Sequence, residues 1–317
     1  MRVTKERKMV EIKNVTKNFD KFKALKDFNL NIKKGSIYGL VGVNGAGKTT
    51  AIRHLAGMYL PDEGTIQIDG FPVYNNIQIK ERVGYIPDDL YFLPQYNMRR
   101  LRSFYRNMYK NWDDERYQRL LDLFKLDEKR GIKKFSKGMQ KQTAFIFSMS
   151  IKPDVLLLDE PIDGLDPIVR KQVMQEIISD VAEREMTVLI SSHNLKEMDG
   201  ICDAIGIVKN GQMIIERDLD DLKSDVHKIQ VVFPENNHHD EDENAENSNP
   251  HPNPYNGLTI LYQEKRGTVE LLVVRGKEED VSAQIKSHNP LVYDQLPLTL
   301  EEIFIYETEG VIDELPY

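Results

Sequence analysis

The sequence predicts an α/β fold: a mostly parallel sheet carrying an antiparallel β flap and a helical subdomain, followed by a small C-terminal α+β domain. Three observations predict it. A glycine-rich loop, Gly42-Val43-Asn44-Gly45-Ala46-Gly47-Lys48-Thr49-Thr50, joins an apolar run at 37–41 to a helix-compatible segment beginning near Thr49. Two short apolar runs, Val155-Leu156-Leu157-Leu158 and Thr187-Val188-Leu189-Ile190, have the length and composition of buried parallel strands and flank an amphipathic helix, which makes a βαβ unit. Beyond residue 223 the pattern changes to short strands and helices in an α+β order.

The 317 residues suit two domains, expected at 1–222 and 223–317, given about 100 to 200 residues per domain. The net charge of −8 is local in origin: Glu235, Asp240, Glu241, Asp242, Glu243 and Glu246 crowd one short stretch, and the remainder is close to neutral. No global basic field favours nucleic acid, so none is expected as a partner. The single Cys202 excludes an internal disulfide, and the charged N-terminus precedes no signal-like apolar stretch, so the expected compartment is the cytoplasm. No run approaches the ~20 apolar residues of a membrane-spanning helix. Any action at a membrane therefore requires another chain.

Val10 and Ile12, then Phe28, Leu30 and Ile32, alternate with polar residues and predict the strands of the flap. Between them Phe19 and Phe22 are either core or edge aromatics or a platform for a nucleotide base. The loop that follows has Gly, four residues, then Gly-Lys-Thr, which lets backbone N–H groups curl around phosphate oxygens. Lys48 reaches the terminal phosphates and Thr49 offers a hydroxyl to Mg²⁺. Gly42, Gly45 and Gly47 supply positive φ and close backbone approach, and the positive end of the following helix favours an anion.

Ala51, Ile52, Leu55 and Ala56 recur at helical spacing, and Gly57 with Pro61 closes that helix; His54 on it reads as structural or exposed. Strands follow at 65–68 and 82–86, the second leading into Asp88 and Asp89, a solvated turn or a pair holding a metal-bound water. Residues 98–126, with Leu101, Phe104, Tyr105, Met108, Tyr117, Leu120, Leu121 and Phe124 at helical spacing, predict a helical subdomain extending over about 97–150. Arg99, Arg100, Arg102 and Arg106 read as a solvated face. Phe135-Ser136-Lys137-Gly138-Met139-Gln140 precedes another apolar helix, as a second anion-binding N-terminus would.

The run at 155–158 ends in Asp159-Glu160-Pro161, and the run at 187–190 in Ser191-Ser192-His193. Ligands of open α/β sheets bind at the carboxyl ends of strands, so Asp159, Glu160 and His193 face the same crevice as the loop. In the second domain, strands are predicted at 229–233, 258–262 and 268–274 and helices at 281–287 and 300–306. Residues 234–257 form an acidic disordered insertion whose histidines make a specific metal site unfavourable.

Taken in order, these motifs resemble the nucleotide-binding subunit of an ATP-binding-cassette (ABC) transporter, a P-loop NTPase cassette, over roughly residues 9–222. Residues 42–50 match the phosphate loop, 135–140 the Leu-Ser-Gly-Gly-Gln signature, 158–161 the second acidic motif, Gly164-Leu165-Asp166 the D-loop and His193 the switch histidine. The resemblance implies an ATPase using ATP and Mg²⁺. By it, Phe19 stacks on adenine; Gly42, Asn44, Gly45, Gly47, Lys48, Thr49 and Thr50 hold the phosphates; Thr49, Asp159 and Asp88 serve the metal. Glu160 polarises the attacking water and His193 contacts the γ-phosphate. Ser136, Gly138, Gln140 and Asp166 act across a dimer of ATP-binding subunits, identical or different. That dimer drives a separate integral membrane permease through the helical region, which places the chain on the inner face of the cell membrane.

Two positions depart from the family pattern. Asp88 stands where the family usually has Gln, and Lys137 replaces the first Gly of the signature. The Ser-Lys-Gly-Met variant and the tail at 298–304 are similar to those of bacterial drug, antibiotic-peptide and peptide-toxin exporters. An alternative is a soluble ABC-type ATPase that dimerises on ATP to bind ribosomes or DNA. Such relatives carry two cassettes per chain or a long coiled coil within the cassette, and neither occurs in this sequence. A small-molecule kinase built on the same loop leaves 136–140 and 164–166 unexplained.

Overall fold

The computed structural model describes residues 7–234 and 255–308. The chain divides into two compact units, Met1–Arg217 and Asp218–Tyr317. In the first, β1 (Lys8–Phe19) and β2 (Phe22–Lys33) pair as a long antiparallel hairpin in which Ile12 lies opposite Leu30 and Val15 opposite Phe28. β3 (Ile37–Val41) leads through the glycine-rich loop into α1 (Lys48–Leu55). Then come β4 (Glu63–Ile68), β5 (Phe71–Pro72), α2 (Ile77–Lys80) and β6 (Val83–Ile86). The flap is a four-stranded antiparallel sheet of order β2-β1-β4-β5.

The helices α3 (Met98–Met108) and α4 (Asp114–Phe124) build the helical subdomain against α5 (Lys137–Ser150). β7 (Val155–Asp159), α6 (Pro167–Arg184), β8 (Thr187–Ser192), β9 (Ala204–Lys209) and β10 (Gln212–Asp218) complete the unit. The second sheet has six strands in the order β10-β9-β3-β8-β7-β6, with β9, β3, β8, β7 and β6 parallel. Every residue of β3, β7 and β8 is buried. That two-sided burial is why these strands read as continuous apolar runs. Asp166 caps α6 by accepting from the N–H groups of Ile168 and Val169, and Pro167 fixes the first helical turn.

The helical subdomain packs around rings. Phe147 of α5 lies 4.9 Å from Tyr105 and 5.5 Å from Tyr117, centroid to centroid, and the only tryptophan, Trp112, joins the same cluster. The arginines read as a solvated face are largely engaged with neighbouring acids. Arg99 bonds Glu128, Arg102 and Arg106 pair with Asp114, and Arg100 donates to the Gln95 carbonyl.

In the second unit, α7 (Leu219–Asp225) leads into β11 (Val226–Val232). β12 (Thr259–Arg266), β13 (Val269–Arg275), α8 (Glu278–Lys286), β14 (Val292–Leu296) and α9 (Leu300–Thr308) follow. The antiparallel sheet has the order β12-β13-β11-β14, and Ile229, Val231, Leu272 and Val274 meet Val281 and Ile285 of α8 in its core.

The structure alters several expectations. The unit boundary falls before residue 218 instead of after 222, because α7 packs on β11 and α9. Of the proposed insertion, 235–254 lie outside the described residues, whereas Tyr255 is buried in the second core and donates its hydroxyl to Glu270. β9, β10 and β14 were not foreseen. Gly206 interrupts the apolar run of β9, where a Cβ would come within 2.3 Å of the Tyr38 hydroxyl. β14 is a half-exposed edge strand with little apolar signal. Among the described residues, no helix is long and apolar enough to cross a membrane.

Phe147→Ala removes the ring on which three other aromatics converge and is expected to cost about 3–5 kcal/mol. Denaturant unfolding followed by Trp112 fluorescence measures it, and a midpoint unchanged from the parent would contradict the packing described.

Candidate active site

The loop after β3 bends because its glycines allow it, each for a different reason. A Cβ on Gly42 would lie 2.4 Å from the Val208 carbonyl oxygen, so close approach and not positive φ demands glycine there. Gly47 has φ of 116° and is the N-cap of α1, where no side chain caps the helix and no acid occupies the first turn. Asn44 and Gly45 are exposed at the loop's tip. Lys48 is 5% exposed, and its Nζ donates to the Gly42 carbonyl at 2.6 Å and reaches the Val43 carbonyl at 3.4 Å.

Parallel register brings the acidic motif to this loop. Asp159 at the end of β7 lies beside Ser191 of β8, whose hydroxyl donates to Oδ1 at 2.8 Å; the Thr49 hydroxyl donates to the same oxygen at 3.1 Å. Burial pushes the Asp159 carboxyl above its ordinary 3.8. The two hydroxyl bonds oppose that rise, and the charges of Glu160 and Asp88 add to it. Glu160 holds φ of 48° and its N–H donates to Ser191 Oγ. Its carboxylate sits between two partners, with Oε1 3.2 Å from Lys48 Nζ and Oε2 3.0 Å from His193 Nδ1. Oε1 is buried without a hydrogen bond of good geometry, so its contact with Lys48 is an ion pair only.

Lys48, Thr49, Asp159, Glu160 and His193 therefore converge. Gly42 accepts from Lys48 within the loop, whereas Asp88, Phe19, Ser136, Gly138 and Gln140 make their contacts elsewhere. Asp88 contacts Lys141 Nζ at 3.4 Å instead of joining Thr49 and Asp159 directly. Phe19 is 39% exposed and packs edge-on against Tyr59 at 5.3 Å, with Lys17 Nζ over its face. Ser136 caps α5 by accepting from the Met139 N–H, and Gln140 donates to the Phe135 carbonyl. Gly138 approaches the Gly164 carbonyl so closely that a Cβ would lie 3.1 Å from it, which puts the signature and the D-loop side by side. His54 is buried with Nδ1 2.7 Å from the Thr50 carbonyl oxygen, and burial lowers its pKa, a structural role.

Three participants escaped sequence reasoning. Ser191 stood at a recognised strand end, but its bridge between Asp159 and the Glu160 N–H depends on strand register. Lys141 lies one residue past the signature and donates to the Glu160 carbonyl at 2.8 Å. Asp163 brings a third donor to Glu160 and His193, all three within 4.8 Å of one another, a set able to hold a divalent cation.

The ABC transporter family model matches residues 25–163, from the flap through Asp163. The ABC transporter ATP-binding protein YtrB of Bacillus subtilis is 31% identical over 302 residues, which span 95% of this chain and 99% of YtrB. The chain belongs to the ABC transporter ATP-binding proteins. The bacitracin transport ATP-binding protein BcrA of Bacillus licheniformis is 34% identical over 218 residues, 68% of this chain and 71% of BcrA. Among solved structures, the ATP-binding subunit of an ABC transporter superposes with a TM-score of 0.63 at 26% identity, covering 68% of this chain and 92% of that one. The YtrB match is long enough to extend through the second unit, so this ABC protein shares more than its cassette with that relative.

As a family member the chain is an ABC-type ATPase, and its site fits ATP. An uncapped helix N-terminus without acids, a buried lysine and an open glycine loop complement a polyphosphate. Thr49 and Asp159 offer the hard oxygen ligands that Mg²⁺ prefers.

The raised Asp159 carboxyl makes a stability prediction for the protein without metal. The folded state keeps this proton at pH values where the unfolded chain has lost it, so stability falls as pH rises from about 3.8 through the folded value. Asp159→Asn keeps an oxygen for Ser191 and Thr49 without the charge. Thermal melts in chelator should show it more stable than the parent near neutral pH, the difference vanishing toward about pH 4. Identical midpoints across that range would refute a buried-charge cost.

Proposed function

We propose that the chain is the ATP-hydrolysing motor subunit of an ABC exporter, acting on the inner face of the cell membrane through a separate permease. One observation carries the catalytic part: the Glu160 carboxylate is held between the Lys48 cation of the phosphate loop and the His193 imidazole. A phosphate chain in the loop shares Lys48 with Glu160, so the phosphate and the general base are drawn to one cation. Glu160 accepts the proton of the attacking water, and His193, oriented by Oε2, faces the transferring group. Thr49 and Asp159 would hold Mg²⁺, which would supply charge neutralisation at the phosphates; Ser191 keeps Asp159 turned toward Thr49. Phe19, exposed beside the loop's own unit, offers its free face to adenine.

Among the described residues, Ser136, Gly138 and Gln140 make their hydrogen bonds and close contacts away from Lys48, Thr49, Asp159, Glu160 and His193, and Asp166 caps its own helix. Ser136, Gly138, Gln140 and Asp166 are instead the cap that a second ATP-binding subunit places over the nucleotide, so hydrolysis needs a dimer, identical or mixed. Lys137 adds a cation at that cap. Phe104 and Met108 of the helical subdomain and Tyr91 and Leu93 of the loop before it are exposed, apolar side chains suited to a membrane subunit. The family relation to a bacitracin transport ATP-binding protein supports export as the direction.

Glu160→Gln should bind ATP, accumulate as a dimer in size-exclusion chromatography and lose roughly 10²- to 10⁴-fold in turnover. Retained hydrolysis would remove Glu160 from its role. Affinity purification from membranes tests the partner: a polytopic protein is expected, and recovery of ribosomes or DNA alone would overturn the exporter reading.

A further inference from the structure

Glu160 is a non-glycine residue in the left-handed region, with φ of 48°, a conformation uncommon for residues that carry a long side chain. Two bonds grip its peptide groups. Ser191 Oγ, from the neighbouring strand β8, receives its N–H at 3.0 Å. Lys141 Nζ, from α5, donates to its carbonyl at 2.8 Å. The same Nζ lies 3.4 Å from Asp88 Oδ1, just past the end of β6. The Lys141 side chain is only 11% exposed, whereas Asp88 is 55% exposed.

One ammonium therefore joins three elements: the helix that begins with the signature, the strand end that bears Glu160, and the loop that bears Asp88. The charge balance favours the arrangement. Asp88, Asp159 and Glu160 cluster closely enough for the first and last to raise the second, and Lys141 is the cation opposite Lys48 in that group. Asp88 also acquires a reason to differ from the glutamine usual at its position. A carboxylate gives Lys141 an ion pair, while an amide would give only a neutral acceptor.

We infer that Lys141 is a positioning residue that couples the signature helix and Asp88 to the orientation of Glu160. Movement of α5 when a partner subunit engages the signature pulls on the Glu160 carbonyl directly. Displacement of Asp88 alters how firmly Lys141 holds it. The inference rests on Glu160 as the base, and Lys141 itself touches no reacting atom.

The test is a double-mutant cycle on the full chain, read as kcat and KM for ATP. Lys141→Met keeps the apolar stem and removes the donor; kcat should fall about tenfold with KM changed less than about twofold, and Lys141→Arg should recover most of the loss. Asp88→Asn should lower kcat in the parent and have little further effect in the Lys141→Met background. If Lys141→Met folds poorly, the comparison of Lys141→Arg with Lys141→Leu replaces it, the fall of about tenfold in kcat being expected only for leucine. Unchanged kcat in Lys141→Met, or Asp88→Asn effects that simply add, overturns the coupling. Glu160→Gln assayed beside them separates the two readings. Its retained turnover would remove Glu160 as base, whereas its inactivity together with a fully active Lys141→Met defeats the Lys141 proposal alone.

Discussion

The parallel pairing of β3, β8 and β7 is the constraint from which the site follows. Val41 lies beside Ser192, and Asp159 beside Ser191, so three strands end at one edge of the sheet. Whatever follows each strand is delivered there: the phosphate loop after β3, the acidic pair at β7 and His193 after β8. A shift of any strand by one residue would turn Asp159 away from Thr49 and break both bonds of Ser191. The complete burial of these strands fixes the register, since every side chain is committed to a packed face.

That register concentrates negative charge in a partly desolvated place, and the fold answers with cations placed by different elements. Lys48 comes from the loop and is held by backbone carbonyls, so it stays put whether or not Glu160 claims it. Lys141 comes from the helical subdomain and holds the backbone of Glu160 instead of its carboxylate. Asp159 has no cation against it among its hydrogen-bond partners and carries the cost as a raised pKa. A carboxylate that burial leaves uncompensated is one that a neighbouring cation would relieve.

The remaining parts lie outside the strand ends that carry Lys48, Asp159 and His193. The helical subdomain is organised by an aromatic cluster around Phe147, on the helix whose first turn bears the signature. The second unit keeps its own antiparallel sheet and core, and Tyr255 anchors the chain where it re-enters that core. The match to YtrB spans this unit as well as the cassette.

The sequence by itself determined the fold class, the strands β3, β6, β7 and β8 of the parallel core and the identity of Lys48, Thr49, Asp159, Glu160 and His193. Burial period, glycine spacing and acids at strand ends are all local patterns. It did not determine β14, whose edge position leaves almost no apolar signal, or the close approach that makes Gly42 a glycine. Only the tertiary structure decided which atoms meet: Asp88 with Lys141, Lys141 with the Glu160 carbonyl, and Ser191 with both members of the acidic pair. The physical reason is that these contacts join segments far apart in the chain, and strand register and helix placement, which bring them together, leave no periodic trace in any one segment.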